Sequence, residues 1–481
     1  MSLPSVIASA ARQSRAARTA LDCFVALLLA MTGSEMGGLV AQFPVLHRVD
    51  CDNPSSCRIA KLPTKPAAFC AFSTKIFFSF RGCDPCDPDL LCNGYFMTDT
   101  LPTTARDILA RLIAFDTTSR NSNLQLIAWV EDYLGQHGVA STRVVNEDAS
   151  KANIYATVGP NLEGGVILSG HSDVVPVDGQ DWDSDPWVVT EKANLLHGRG
   201  TCDMKGFIAL ALAAVPLFKK GAKPVHLAFS YDEEIGCLGA PAMIEEMAAK
   251  LPKPALAIIG EPTMMKVITG HKGIAVHEVE VLGHEAHSSL THLGLSANMV
   301  AIELMHDLAE LARGLWENTD PASPFIPPHA TLTIGRMEGG TAPNILARRA
   351  HFMFDLRCPP DVDPEAILAP FQAKIAALDG EMRRAFPEAG VTITRLSNAP
   401  PMTPAGSAEA EAFVRRLTGD NSPSGVVSYA AEAGQFQQAG FATVICGPGS
   451  IEQAHQPNEY LAVEQFERGA DFMLRLGEAL A

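Results

Sequence analysis

The sequence predicts an α/β fold: a mostly parallel sheet flanked by helices, interrupted by an inserted α+β segment. Three observations predict it. Short apolar runs of strand length ("NIYATV", "GVILSG", "VHLAFSY", "ALAIIG") alternate with helical segments, and that alternation builds a parallel sheet covered on both faces. Near residue 270 the texture changes to runs such as "IAVHEVEVLG", whose apolar-polar alternation marks half-buried strands. From about Asn398 the first texture returns.

The bulk numbers bound the rest. A chain of 481 residues is too long for one small core. Its 47% hydrophobic and 19% charged residues match an ordinary globular protein. A formal net charge of -17 argues against nucleic acid or an anionic membrane surface as the main partner. Seven of the eleven cysteines precede Met97, while Cys202, Cys237, Cys358 and Cys446 are scattered singly. Scattered single cysteines fit a reducing cytoplasm rather than a disulfide framework.

Residues 1–96 look foreign to residues 97–481. They hold nine Lys and Arg against seven Asp and Glu, so they lack the acidity of the rest of the chain. Arg12, Arg15 and Arg18 precede "CFVALLLAM", a run too short to span a bilayer but similar to a targeting segment. The Cys83-x-x-Cys86 pair finds no second pair or histidine to complete a zinc set. This segment is expected to be an extension that is disordered or precedes the true start. "MTDTLPTTARDILARLIAF" opens at Met97 as a polar start leading into an amphipathic helix.

The elements then come in order. "ARDILARLIAF" and "NLQLIAWVEDYLGQHG" have helical spacing, and the second closes on Gly138. "KGFIALALAAVPLFKK" and "APAMIEEMAAKL" are helices between the buried strands of residues 97–270. The insert, residues 271–395, holds the helix "SANMVAIELMHDLAELARGLW" and the strands "HATLTIGRMEGG" and "ARRAHFMFDLR". Residues 396–481 return to the first domain with helix "AEAEAFVRRLTG", strand "ATVICG" and helix "VEQFERGADFMLRLGEAL".

In open α/β sheets, ligands bind beyond the carboxyl ends of the strands. There the chain presents His171 and Asp173 after "VILSG", Asp203 before a helix, and Glu233 and Glu234 after "VHLAFSY". Glu261 follows "ALAIIG", and His455 follows "VICGPGS". Singly, each has an ordinary alternative: a polar strand cap, a solvated turn, a helix N-cap for Asp203. Together, two histidines and three or more carboxylates can hold two zinc ions about 3.5–4 Å apart, with one carboxylate bridging. His171 is then a ligand on the end of a rigid strand, and Asp173 stands behind it to orient the imidazole.

"SGHSDVVP", "GRGTCDMKG", "DEEIG", "GEPT" and "GPGSIEQAHQPNEY" resemble the successive motifs of the dinuclear zinc aminoacylase/carboxypeptidase family, nearest its acetylornithine deacetylase branch. The likeness runs from about Met97 to Ala481. It implies a zinc exopeptidase-like catalytic domain with two zinc ions per subunit, cobalt being able to substitute. One ion is implied at His171 and Glu261 and the other at Glu234 and His455, with Asp203 bridging and Glu233 as general base.

The insert resembles that family's dimerisation or lid domain, which implies a homodimer. "GHEAHSS" places His287 where the family supplies an oxyanion-stabilising histidine, often from the partner subunit; a surface-strand histidine is the alternative, with His284 beside it. "GGTAPNILA" and "FDLRCPP" look like the substrate clamp, with Asn344 and Arg357 for the substrate α-carboxylate. For Arg357 an ion pair with Asp355 is the alternative. Glu432 is the candidate for a substrate side-chain ammonium.

The implied activity is zinc-dependent hydrolysis of the amide bond of N-acyl-L-amino acids, N2-acetyl-L-ornithine first. A desuccinylase, a general aminoacylase and a carboxypeptidase or dipeptidase are the alternatives within the family. A non-catalytic binding protein on the same fold would have lost a ligand or the base, and none is missing. The implied partner is a small N-acyl amino acid, with no nucleic acid and no membrane.

Overall fold

A computed structural model describes the backbone of residues 47–53, 56–61 and 88–481, with side chains from Leu101 onward. The targeting-like run and the Cys83-x-x-Cys86 pair lie outside the described residues. The chain divides into two compact units, residues 1–93 and 94–481. The described strands of the first are one antiparallel hairpin, β1 (His47–Asn53) with β2 (Ser56–Lys61). The helix expected after Met97 runs from Pro88 to Ile113 and passes through Met97.

The second unit is built on an eight-stranded sheet. Its order is β15 (Gly425–Val427), β10 (Ile268–His271), β16 (Ala442–Gly447), β9 (Leu256–Pro262), β5 (Val166–His171), β8 (Val225–Ser230), β4 (Ala152–Val158) and β3 (Ser141–Val145). The four central strands, β16, β9, β5 and β8, are mutually parallel, as the sequence predicts. The flanks make the sheet mixed. β4 runs antiparallel to β8 and β3 antiparallel to β4, while β10 runs antiparallel to β16. The β3–β4 connection is a short turn, and so short a link cannot make the crossover that parallel pairing needs.

Both sheet faces are covered. Phe207, Leu210, Phe466 and Met473 bury one face under the helices Lys205–Ala213 and Val463–Ala479. Ile167, Ile259, Met243 and Phe436 bury the other under the helices Ala240–Lys250 and Ala433–Gln438. Each such buried side chain contributes about 1.5–3 kcal/mol relative to exposure. Gly260 lets one of these helices come close: a Cβ at this position would overlap the Phe207 ring. That approach brings the end of β9, with Glu261, toward the loop that carries Asp203.

The insert has its own sheet and core. Strands β12 (Thr331–Gly339), β13 (Arg349–Cys358), β11 (Gly273–Leu282) and β14 (Gly390–Ala399) pair antiparallel in that order. Val279, Leu304, Phe352 and Phe371 are packed beneath the helices Ala297–Glu317 and Pro364–Ala385. β14 continues past residue 395 to Ala399, because Ala399 still pairs with Ile274 of β11. A third, small sheet orders β17 (Tyr460–Ala462), β7 (Leu195–His197) and β6 (Thr190–Lys192). Among the described residues, no helix is long and apolar enough to cross a membrane.

Candidate active site

The parallel strands β5, β8 and β9 deliver their carboxyl ends to one edge. His171 is the last residue of β5, and Glu261 is the second-last of β9. Asp203 precedes the helix Lys205–Ala213, and Glu233 and Glu234 follow β8. His455 arrives from the segment between β16 and β17. The structure thus brings together all five predicted ligands, with Glu233 beside them.

Asp203 is the centre of this arrangement. Its Oδ1 lies 2.9 Å from His171 Nε2, and its Oδ2 lies 3.5 Å from His455 Nε2. On the first side Glu261 Oε1 is 3.8 Å from His171 Nε2. On the second, Glu234 Oε2 is 2.9 Å from His455 Nε2. Each oxygen of Asp203 therefore faces one histidine, and each histidine has its own glutamate. Donor atoms of His171, Asp203 and Glu234, and of His171, Glu233 and Glu261, fall within 4.8 Å of one another.

Asp173 works differently from the simple orienting role expected of its side chain. His171 Nδ1 donates to the backbone carbonyl of Asp173 at 2.9 Å, and the Asp173 carboxylate is farther, 3.6 Å from that nitrogen. The carboxylate instead accepts Ser119 Oγ–H at 2.7 Å and the backbone N–H groups of Glu233 and Glu234 at 3.2 and 3.3 Å. It ties the two glutamates to the end of β5.

The electrostatics are crowded. Burial, reinforced by Glu234, Glu432 and Asp203 and opposed by His171, pushes Glu233 up to about 8. Burial and the Asp203 charge push Glu234 up to about 7, and the same two causes hold Glu261 well above the usual carboxylate range. Burial works against the charged form of Asp203 as well, but the His171 hydrogen bond and charge, together with the charges of His455 and Arg199, lower its pKa. The hydrogen bond to Glu234 is the main cause that lifts His455 to about 9. Four carboxylates, Asp203 and Glu261 buried and Glu233 and Glu234 half-buried, share this space with two imidazoles. Like charges so placed repel, and burial penalises each of them. Divalent cations answer both costs, and an imidazole and carboxylate donor set is one that zinc accepts. The residues present therefore fit a metal centre with Asp203 shared between two positions.

The other predicted site residues lie elsewhere. His287 is exposed on the insert, its Nδ1 accepting Ser289 Oγ–H at 2.8 Å. Asn344 is also exposed, and its carbonyl oxygen accepts the Ser288 N–H at 3.0 Å. These two come together with each other; among the described residues no hydrogen bond joins them to the Asp203 cluster. Arg357 Nε donates to Asp355 Oδ2 at 2.8 Å, the ion pair weighed as its alternative. Glu432 is buried, with Oε2 accepting Ser169 Oγ–H at 3.3 Å and Oε1 without a protein partner. Burial is the main cause that lifts it to about 7.

The sequence reading missed Glu459. Its Oε1 accepts the N–H groups of Cys202 and Asp203 at 2.9 and 3.0 Å. Its Oε2 accepts the Gly200 N–H at 3.0 Å and Arg199 Nη1 at 2.8 Å. It fixes the loop that carries Asp203 from below. Its signal was present: it lies in the same "HQPNEY" stretch as His455.

A model described as peptidase family M20/M25/M40 matches residues 167–479. The chain belongs to this family. The M20 assignment makes it a hydrolytic enzyme, a metal-dependent amidohydrolase. The M20 chain is 34% identical to an acetylornithine deacetylase of Myxococcus xanthus over 380 residues, which is 77% of this chain and 96% of that one. It is 34% identical to one of Pasteurella multocida over 366 residues, 74% of this chain and 91% of that one. Human carnosine dipeptidase 1 superposes with a TM-score of 0.62 at 17% identity, covering 79% of this chain and 99% of that chain. An M20 metallo-carboxypeptidase of Sulfolobus solfataricus gives 0.59 at 16% identity, over 78% and 98%. These structures share the M20 fold.

Proposed function

We propose that this M20 enzyme hydrolyses the amide bond of N-acyl-L-amino acids with two zinc ions, and that N2-acetyl-L-ornithine is its substrate, cleaved to ornithine and acetate in arginine biosynthesis in the cytoplasm. The observation that carries this reading is Asp203 between His171 and His455, each histidine paired with its own glutamate and Glu233 beside them. The names of the relatives at 34% identity support the substrate.

His171 and Glu261 would hold one ion, Glu234 and His455 the other, and Asp203 both; cobalt would substitute. When bound, the ions polarise the amide carbonyl and make a neighbouring water acidic. Glu233 would take the proton of the attacking water and hand it to the leaving nitrogen, the task of a positioned carboxylate base. Asp173 orients both glutamates through their backbone N–H groups.

The catalytic domain is proposed to comprise residues 97–270 and 396–481, and the insert to serve as lid and dimerisation domain. Exposed Met299, Ile302 and Met337 on a helix and an edge strand of the insert support a homodimer. In that dimer an exposed His287 would stabilise the oxyanion of a second copy's site. Asn344 beside it and Arg357 would bind the substrate α-carboxylate, and Glu432 a side-chain ammonium.

The test is the hydrolysis rate of the zinc-loaded enzyme on N-acetylornithine, N-acetylmethionine, N-succinyl-diaminopimelate and a dipeptide. A preference for N-acetylornithine supports the reading. A preference for another member keeps the metal chemistry and moves the enzyme to a desuccinylase, aminoacylase or dipeptidase role.

A further inference from the structure

Cys237 is neither a proposed ligand nor the proposed base, yet it touches Glu233. The side chain is 2% exposed, and its Sγ lies 3.2 Å from Glu233 Oε1. A thiol donates and a carboxylate accepts, so the contact is an S–H···O hydrogen bond.

The turn that makes this contact is held on several sides. The N–H groups of Gly236 and Cys237 both donate to the Glu233 carbonyl, at 2.9 and 2.8 Å, so the turn closes on the glutamate itself. Cys237 has a φ of 56°, a conformation that side chains rarely adopt and that surrounding structure must enforce. Gln435, buried on the helix Ala433–Gln438, donates its Nε2–H to the Cys237 carbonyl at 2.8 Å. Ser397 of β14 presses on Gly236, where a Cβ would overlap the serine side chain. A helix and the inserted sheet therefore both brace the turn, and what the turn presents is a thiol aimed at one carboxylate oxygen.

We propose that Cys237 is a positioning residue for the hydrolytic reaction, its S–H fixing Glu233 Oε1 so that Oε2 is left to face the reacting water. The inference rests on Glu233 being the base. A free carboxylate in this turn would rotate among several orientations, and only some of them direct an oxygen at the water. The thiol removes that freedom with a weak hydrogen bond. The bond adds no charge to a cluster already crowded with it.

The experiment uses the full chain, zinc-loaded, as Cys237→Ala, Cys237→Ser, Glu233→Gln and the double variant Cys237→Ala/Glu233→Gln. Cys237→Ala is expected to lower kcat about two- to tenfold, the range that one lost hydrogen bond spans. KM, zinc per chain and thermal midpoint should stay near the parent values. Cys237→Ser restores a donor and should recover most of the lost kcat. In the Glu233→Gln background, Cys237→Ala should cost nothing further, because the two residues act as one unit. Parent kcat in Cys237→Ala alongside an inactive Glu233→Gln overturns this proposal alone. Equal losses in Cys237→Ala and Cys237→Ser, or fully additive losses in the double variant, also overturn it. Near-parent turnover in Glu233→Gln overturns the assignment of the base, and this inference with it. Independently of turnover, the infrared S–H stretch that disappears in Cys237→Ala should shift in Glu233→Gln; an unmoved stretch contradicts the hydrogen bond.

Discussion

The Asp173 carboxylate accepts the backbone N–H of Glu233 at 3.2 Å, and that of Glu234 at 3.3 Å. One side chain thus sets where two neighbouring glutamates begin. Asp173→Asn replaces an accepting oxygen with a donor facing those N–H groups. The expected result is a loss of about 10–100-fold in metal affinity or activity, the usual effect of removing a partner behind a metal ligand. Zinc titration with steady-state kinetics checks it; unchanged values would show that the glutamate turn holds itself.

Glu233 and His455 should separate cleanly. Glu233→Ala removes the proposed base and no ligand, so turnover should fall by about 10²–10⁴-fold while zinc stays bound. His455→Ala removes a proposed ligand and should lower zinc per chain. Metal analysis beside kcat distinguishes the two, and an active Glu233→Ala would sink the assignment.

Glu459 and Arg199 are both 1% exposed and paired at 2.8 Å. Glu459→Gln leaves the Arg199 guanidinium buried without its counter-charge, while the amide oxygen can still accept backbone N–H groups. Breaking one side of a buried pair costs about 3–5 kcal/mol. Chemical denaturation should show that loss. A variant as stable as the parent would mean that Gln180, 2.5 Å from Arg199 Nη2, and the Trp182 ring above the guanidinium suffice for it.

Gly260→Ala should overpack the Phe207 contact and destabilise by about 1–3 kcal/mol. Because the same contact brings Glu261 toward Asp203, zinc affinity should fall with it. Phe207→Leu in the same chain should restore part of both. Thermal melts with and without zinc measure the two effects.

Much of the fold and the site was legible in the sequence, for identifiable reasons. The four central strands are buried on both faces, so they appear as unbroken apolar runs, and of the proposed ligands His171, Glu234 and Glu261 stand at or just past the ends of three of them. The antiparallel flanks were not legible, because β4 is as apolar as its parallel neighbours and the burial pattern carries no direction. β14 was missed although "VTITRLSNA" alternates, and its pairing with β11 carries the insert beyond residue 395. Glu459 escaped notice because a carboxylate that cradles backbone N–H groups has no spacing rule of its own. The part played by Asp173 was only half legible: its place behind His171 could be read, but not that its carboxylate turns to the N–H groups of Glu233 and Glu234.

The most direct measurement is a zinc titration of the chelator-stripped enzyme, read by N2-acetyl-L-ornithine hydrolysis. The stripped enzyme should be inactive, and activity should rise with zinc and level off by two equivalents per chain. Full activity after complete removal of metal would contradict the metal-dependent mechanism built around Asp203.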